Sequence, residues 1–189
     1  MKVVGLAGWS GAGKTTLLTR VIPVLVARGL KVSTLKHAHH AFDIDHPGKD
    51  SFEHRAAGAG EVLIASGKRW ALLHELRGEA EPRLADLLDK LSPCDLVIVE
   101  GFKRAVHPKV EISRAANGKP FLHPDIVDVR GLICDAPPPG WAGPLAHPDD
   151  IPAATALLLD AAVPAEQVQA ALRAERPLAG AVSPQVPGR

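Results

Sequence analysis

Short apolar runs alternate along this chain with segments whose apolar residues recur at every third or fourth position. That alternation is the pattern of βαβ units and a parallel sheet. Lys2–Ala7 reads as a buried strand that runs straight into glycines. Lys14–Arg28 follows as a helix, with Leu17, Leu18, Val21, Val24 and Leu25 on one face. Pro23 lacks an N–H and is expected to kink or distort that helix, and Gly29 is placed to close it. Lys31–Leu35 is the second strand and Ser51–Ala59 a short helix. Glu61–Ala65 and Arg69–His74 are strands paired antiparallel across Ser66-Gly67-Lys68. Glu81–Leu91 reads as a helix with Leu84, Leu87, Leu88 and Leu91 on one side. Asp95–Val99 is the most apolar strand and is expected near the centre of the sheet.

Beyond Gly101 the pattern weakens. Val110–Ser113 and Val129–Cys134 are strands separated by a polar turn at Asn117-Gly118, and Pro137-Pro138-Pro139 breaks structure. Asp149 or Asp150 caps a helix over Ala153–Leu159, and Ala165–Arg173 is the last helix. The fold expected is an α/β three-layer sandwich, mainly a parallel sheet with an antiparallel strand extension. One domain is expected over residues 1–176, with a disordered tail over 177–189, where Pro, Gly, Ala and Ser leave no apolar face.

Composition narrows the function classes. Lys plus Arg (22) nearly cancels Asp plus Glu (21). That balance gives no general attraction to nucleic acid or to an anionic membrane, so anion binding must be local. No run of about 18 apolar residues is present, and the N-terminus lacks a signal-peptide core, so a cytoplasmic location is expected. Cys94 and Cys134 read as two reduced, packed thiols.

The local anion site is Gly8-Trp9-Ser10-Gly11-Ala12-Gly13-Lys14-Thr15. The pattern G-x-x-x-x-G-K-[ST] is common by itself, but here it follows a strand and opens a helix, as the chemistry requires. Glycines let backbone N–H groups turn inward around phosphates, and the helix N-terminus adds partial positive charge. Lys14 supplies a point charge to the β- and γ-phosphates, and the Thr15 hydroxyl is placed for Mg²⁺. Glu100, at the end of an apolar strand and before Gly101, holds a Mg²⁺ water, orients an attacking water, or merely ends a solvated strand. Asp95, at the other end of that strand, should take no part.

Two further features lie on the carboxyl edge of the strands, where open α/β sheets bind ligands. The loop from Lys36-His37-Ala38-His39-His40 through Asp43, Asp45, His46, Lys49 and Asp50 concentrates charge and imidazole. It reads as a lid over phosphates, Mg²⁺ or a second substrate, as a metal site of His37, His39 and His40, or as a solvated loop. Lys103 and Arg104 either meet an anion or are surface cations. Asp135 ends the Val129–Cys134 strand and either accepts the paired N–H donors of guanine or caps a turn. Two functions fit this machinery on the residues themselves: a small-molecule kinase with Asp45 or Asp50 as base, and a metallochaperone GTPase with the histidine loop as its metal site.

These residues resemble the molybdopterin-guanine dinucleotide biosynthesis protein MobB family. The matching blocks are Gly8–Thr16, K-H-x-H-H at Lys36–His40, Phe42–Ser51, Arg55–Ala59, D-L-V-I-V-E-G-F-K at Asp95–Lys103, and the strand ending at Asp135. The histidine block and V-E-G-F-K are the selective ones. The resemblance implies a homodimeric P-loop protein that binds GTP and Mg²⁺, hydrolyses GTP weakly, and assists the MobA-like nucleotidyltransferase that joins GMP to molybdopterin. Molybdopterin itself is a further ligand on that reading. Gly8, Ser10, Gly11, Ala12, Gly13, Lys14, Thr15 and Thr16 then cradle phosphates, with His37, Asp45 and Asp50 beside them. Thr15 and Glu100 hold the metal, Lys14 and Glu100 serve hydrolysis, and Asp135 meets the base. The chain departs from the family after Pro137.

Overall fold

In the computed structural model the chain runs β1 (Lys2–Ala7), α1 (Lys14–Ala27), β2 (Val32–Lys36), α2 (Asp50–Ala56), β3 (Glu61–Ala65), β4 (Trp70–His74) and α3 (Leu84–Leu88). It continues with β5 (Leu96–Glu100), β6 (Lys109–Ser113), β7 (Val129–Cys134), β8 (Leu145–Ala146), α4 (Ile151–Ala161), β9 (Val163–Pro164) and α5 (Ala165–Ala174). Residues 1–38 and 42–174 are described; the tail expected to be disordered lies outside them. The residues read as one domain fall into two units, Ala38–Arg83 and the remainder.

The larger unit is built on a seven-stranded sheet in the order β2-β5-β1-β6-β7-β8, with β9 also paired to β1. Every pair is parallel except β1–β9. Apolar runs such as Val3–Ala7 and Leu96–Val99 are buried on both faces, as a covered parallel sheet requires. One face packs Val4, Leu6, Ile98, Val110 and Ile112 against Leu17, Val21 and Leu25 of α1 and Leu158 of α4. The other packs Val3, Leu35, Val97 and Val99 against Leu84 and Leu88 of α3 and Val168 and Leu172 of α5. The layered, mainly parallel α/β fold is therefore the one the pattern predicts.

Local chemistry explains where the elements depart from expectation. α1 continues through Pro23, which is exposed, so the Thr19 carbonyl it leaves without a helical donor faces water. The helix closes where expected, with Gly29 N–H donating to Val26 O (2.9 Å) and Leu30 N–H to Leu25 O (3.2 Å). The helix expected over Glu81–Leu91 shrinks to α3. Pro82 and Pro93 bracket it, and a residue preceding proline is pushed away from helical geometry. α4 is longer than expected because Asp150 accepts from Ala153 N–H (3.0 Å) and sets its start. The strands β8 and β9, two residues each, are too short to register as periodicity.

The smaller unit holds α2 and the antiparallel hairpin β3–β4, with Leu63 opposite Leu72 and Ala65 opposite Trp70. Leu63, Trp70 and Leu72 are exposed. Both cysteines are free, and no described helix is long and apolar enough to cross a membrane.

Candidate functional site around the glycine loop

β1 delivers the chain into the loop between its own carboxyl end and α1. A side chain at Gly8 would meet the Ile112 carbonyl of β6 at 2.6 Å, so only glycine lets the loop leave the sheet this closely. Gly13 precedes α1 with φ 92°, a conformation that costs any residue with a Cβ. Ala12 is buried and its N–H donates to Trp9 O (3.1 Å), which closes the loop on itself. α1 has no side-chain cap, unlike α4, and no acidic residue in its first turn. Its leading N–H groups thus have no side-chain cap, and Thr15 and Thr16 are exposed beside them; a helix end of this kind can take an anion.

Lys14 folds back over the loop and donates to Gly8 O (3.0 Å) and Trp9 O (2.9 Å). Burial lowers the affinity of its amine for a proton; Glu100 opposes that, and Lys103 and Lys36 reinforce it. The register explains this neighbourhood. Glu100 stands opposite Leu6 on one side and Lys36 on the other, so the carboxyl ends of β1, β5 and β2 lie side by side. Lys103 places its ammonium 5.2 Å from the centre of the Trp9 ring. Trp9 is 36% exposed, and its indole N–H donates to Pro120 O (2.7 Å). His37 N–H donates to Glu100 O (2.8 Å), and its ring lies 4.5 Å from that of Phe102. Asp95 accepts from Lys31 N–H (2.7 Å) at the opposite edge, away from this chemistry as expected.

On the other side of the loop, a strap after β6 is tied to it. Asn117 Nδ2 donates to Ser10 O (3.2 Å), and Glu111 accepts from Leu122 N–H (2.6 Å) and His123 N–H (2.9 Å). Asp135 is placed at the end of β7, on the ligand edge. One of its oxygens accepts from Arg114 (3.0 Å) and the other from Ala115 N–H (2.9 Å). Arg114 also pairs with Asp149 (3.1 Å), which in turn pairs with Arg20 (3.3 Å). Asp149 and Asp135 strengthen the hold of Arg114 on its proton, and Arg114 keeps the Asp149 carboxyl below the usual range.

The family model for MobB, molybdopterin guanine dinucleotide synthesis protein B, matches residues 3–135, from the first strand to the aspartate that ends β7. The chain belongs to that family. It is 46% identical over 118 residues to the molybdopterin-guanine dinucleotide biosynthesis adapter protein of Escherichia coli K12, covering 61% of this chain and 67% of that one. The adapter protein of Haemophilus influenzae Rd is 42% identical over 120 residues, covering 63% and 67%. The crystal structure of Bacillus subtilis MobB superposes with a TM-score of 0.66 at 29% identity, over 85% of this chain and 97% of that chain.

In this MobB family member, Asp45 and Asp50 belong to the smaller unit. Asp45 is buried and its carboxylate is bound by Arg55, which also donates to Glu75 (2.7 Å) and Asp43 (3.0 Å). Hydrogen bonding from Arg55 holds the Asp45 carboxyl below the usual aspartate range, so this group is a fixed anion that ties its own loop together. Asp50 opens α2 and is exposed. His39 and His40 lie outside the described residues.

A buried polar cluster with no local signature in the sequence gathers where the loop that carries Lys103 runs into β6. Lys109, on β6, donates to the carbonyls of Ala105 (2.7 Å), His107 (2.9 Å) and Val127 (3.2 Å). His107 is buried with Nδ1 3.0 Å from Ala105 O, so Nδ1 is the protonated nitrogen. Burial, with help from Lys109, pushes the His107 pKa down to about 3. Arg114 likewise has no local signature, because its partners come from separate strand ends.

Proposed function

We propose that the chain is a Mg²⁺-dependent GTP-binding adapter with slow GTP hydrolysis. In this reading it serves the nucleotidyltransferase that joins GMP to molybdopterin in molybdopterin-guanine dinucleotide biosynthesis. Family membership and the adapter relatives support the pathway. The nucleotide rests on one observation: an uncapped helix N-terminus behind a glycine cradle, with Lys14 folded over it and Glu100 on the adjacent strand. The residues fit the ligand. Glycine backbone N–H groups and Lys14 meet phosphate oxygens, while Thr15 and Glu100 are the hard oxygen donors that Mg²⁺ takes. Bound Mg²⁺ would neutralise charge between the β- and γ-phosphates. Asp135 keeps lone pairs beyond those used by Arg114 and Ala115, which it would turn to the N–H donors of guanine. Of the two carboxylates considered as a kinase base, Asp45 is bound by Arg55 and Asp50 is exposed at the start of α2, so the kinase reading would rest on Asp50.

Titration of GTP and ATP followed by tryptophan fluorescence, with Trp9→Phe identifying the reporter, tests this. GTP should change the Trp9 emission and ATP should do so at roughly tenfold higher concentration. Lys14→Ala should weaken GTP about 100-fold, since charge-assisted hydrogen bonds contribute roughly 1.5–3 kcal/mol and a tenfold change is about 1.4 kcal/mol. A GTP response indifferent to Lys14, or none at all, would refute the proposal.

A further inference from the structure

The strand ends on the β5 side of the glycine loop carry cations that the cradle does not need for a diphosphate. Lys36 closes β2 directly opposite Glu100, and Glu100 stands opposite Leu6, two residues before Gly8. Lys103 is held at the same end by its contact with the Trp9 ring. Among the described residues neither lysine has a carboxylate partner. Both are near enough to Lys14 to oppose its protonation. Since Lys14 addresses the β- and γ-phosphates, the end bounded by Lys36, Glu100 and Lys103 is the terminal-phosphate end.

Charge counting separates the possible uses. A triphosphate carries about −4, against about +2 from Mg²⁺, +1 from Lys14 and +0.5 from the helix N-terminus, with about −1 added by Glu100. The remainder is roughly −1.5, which two lysines bring close to zero. For a diphosphate the remainder is roughly −0.5, and the same lysines would leave a surplus of about +1.5. We propose that Lys36 and Lys103 recognise the terminal phosphate and set the preference of this protein for the triphosphate over the diphosphate. They are specificity-determining residues, added to the Lys14 contact and resting on the GTP reading above.

The test is calorimetric titration of the full chain with Mg²⁺ and either GDP or the β,γ-imido analogue of GTP. The wild type should bind the analogue about tenfold more tightly than GDP. Lys36→Gln and Lys103→Gln should each reduce that ratio about threefold, and the double variant should bring it near one with GDP affinity held within about twofold. Lys103→Arg should keep the wild-type ratio, because it keeps the charge. Equal wild-type affinities for the two nucleotides, an unchanged ratio in the double variant, or a parallel loss of both affinities would each overturn the proposal. A wild type that binds neither nucleotide would overturn the GTP reading itself, and this proposal with it.

Discussion

The two flanks of the glycine loop handle charge in opposite ways. On the β6–β8 flank the charges are paired within the protein: Arg114 lies between Asp135 and Asp149, and Asp149 also holds Arg20. On the β5–β2 flank Lys36 and Lys103 have no carboxylate partner among the described residues, and Glu100 is the acid set among them. The same contrast holds at the helix ends, since α4 begins on Asp150 and α1 begins with nothing. A self-neutralised flank is built before any ligand arrives and suits a neutral, planar group that reads hydrogen-bond direction. An unneutralised flank keeps like charges near one another, at a cost that an incoming anion relieves. On the GTP reading proposed above, the arrangement would orient a nucleotide with its phosphates toward β5 and its base toward β7.

The largest way to break this contrast is to remove the acid from the cationic flank. Glu100→Gln should lower GTP turnover about 100-fold, roughly 2.7 kcal/mol, while GTP affinity without Mg²⁺ rises because a like charge has gone. Comparing affinity and turnover with and without Mg²⁺ checks both halves. A variant whose Mg²⁺ dependence matches the wild type would mean that Glu100 has no part in holding the ion.

How much of this was legible beforehand depends on the range of the interactions. Gly8–Thr15, Glu100 and the apolar strands are local patterns, and they could be read directly. The Asp150 cap is local too. The polar alternation of β6, Lys109-Val110-Glu111-Ile112-Ser113, looks like a strand with one wet face. That face is in fact buried, because the strap from Arg114 onward returns over it and Glu111 takes the Leu122 and His123 N–H groups. Nothing local announces that return. Likewise β6 lies beside β1 although about a hundred residues separate them, so Ile112 O appears against Gly8 only once the strand order is known. Asp135 shows both sides: its strand-end position was visible, but its bonds to Arg114 and Ala115 were not.

Acid should reach the cationic flank before the other. His107 packs under the 102–108 loop that carries Lys103, and its pKa is about 3 in the fold against about 6.5 in an unfolded chain. The unfolded chain therefore takes the proton first as pH falls. Its contribution to stability is complete above about pH 6.5 and declines toward pH 3, by up to about 1.4 kcal/mol per pH unit. Between pH 6.5 and 4.5 the loss should be about 2 kcal/mol. Glu111 acts in the opposite sense, since burial raises its pKa and protonation favours the fold. The lowered carboxyls of Asp45 and Asp149 matter only below the ordinary aspartate range. Denaturant unfolding of wild type and His107→Asn at pH 7 and pH 4.5 isolates the imidazole. The wild type should lose about 2 kcal/mol more than the variant; parallel pH profiles would show that His107 takes up its proton at about the same pH in both states.

The smaller effect falls on the paired flank, and it concerns direction rather than charge. If Asp135 meets guanine, its carboxylate accepts from N1–H and the 2-amino group at once. Xanthine keeps N1–H but presents an oxygen in place of that amino group. Asp135→Asn offers one acceptor and one donor, and so matches xanthine where the carboxylate matched guanine. The variant also keeps an acceptor for either Arg114 or Ala115 N–H, and Arg114 retains Asp149. The fold should therefore persist while the base preference inverts. The expected change is about tenfold lower affinity for GTP and a comparable gain for xanthosine triphosphate, about 1.4 kcal/mol in each direction. Competition between the two nucleotides, measured in wild type and variant, decides it. Equal losses for both would assign Asp135 to holding Arg114 and the strap alone, and the base would then have to be read elsewhere along the β7–β8 edge.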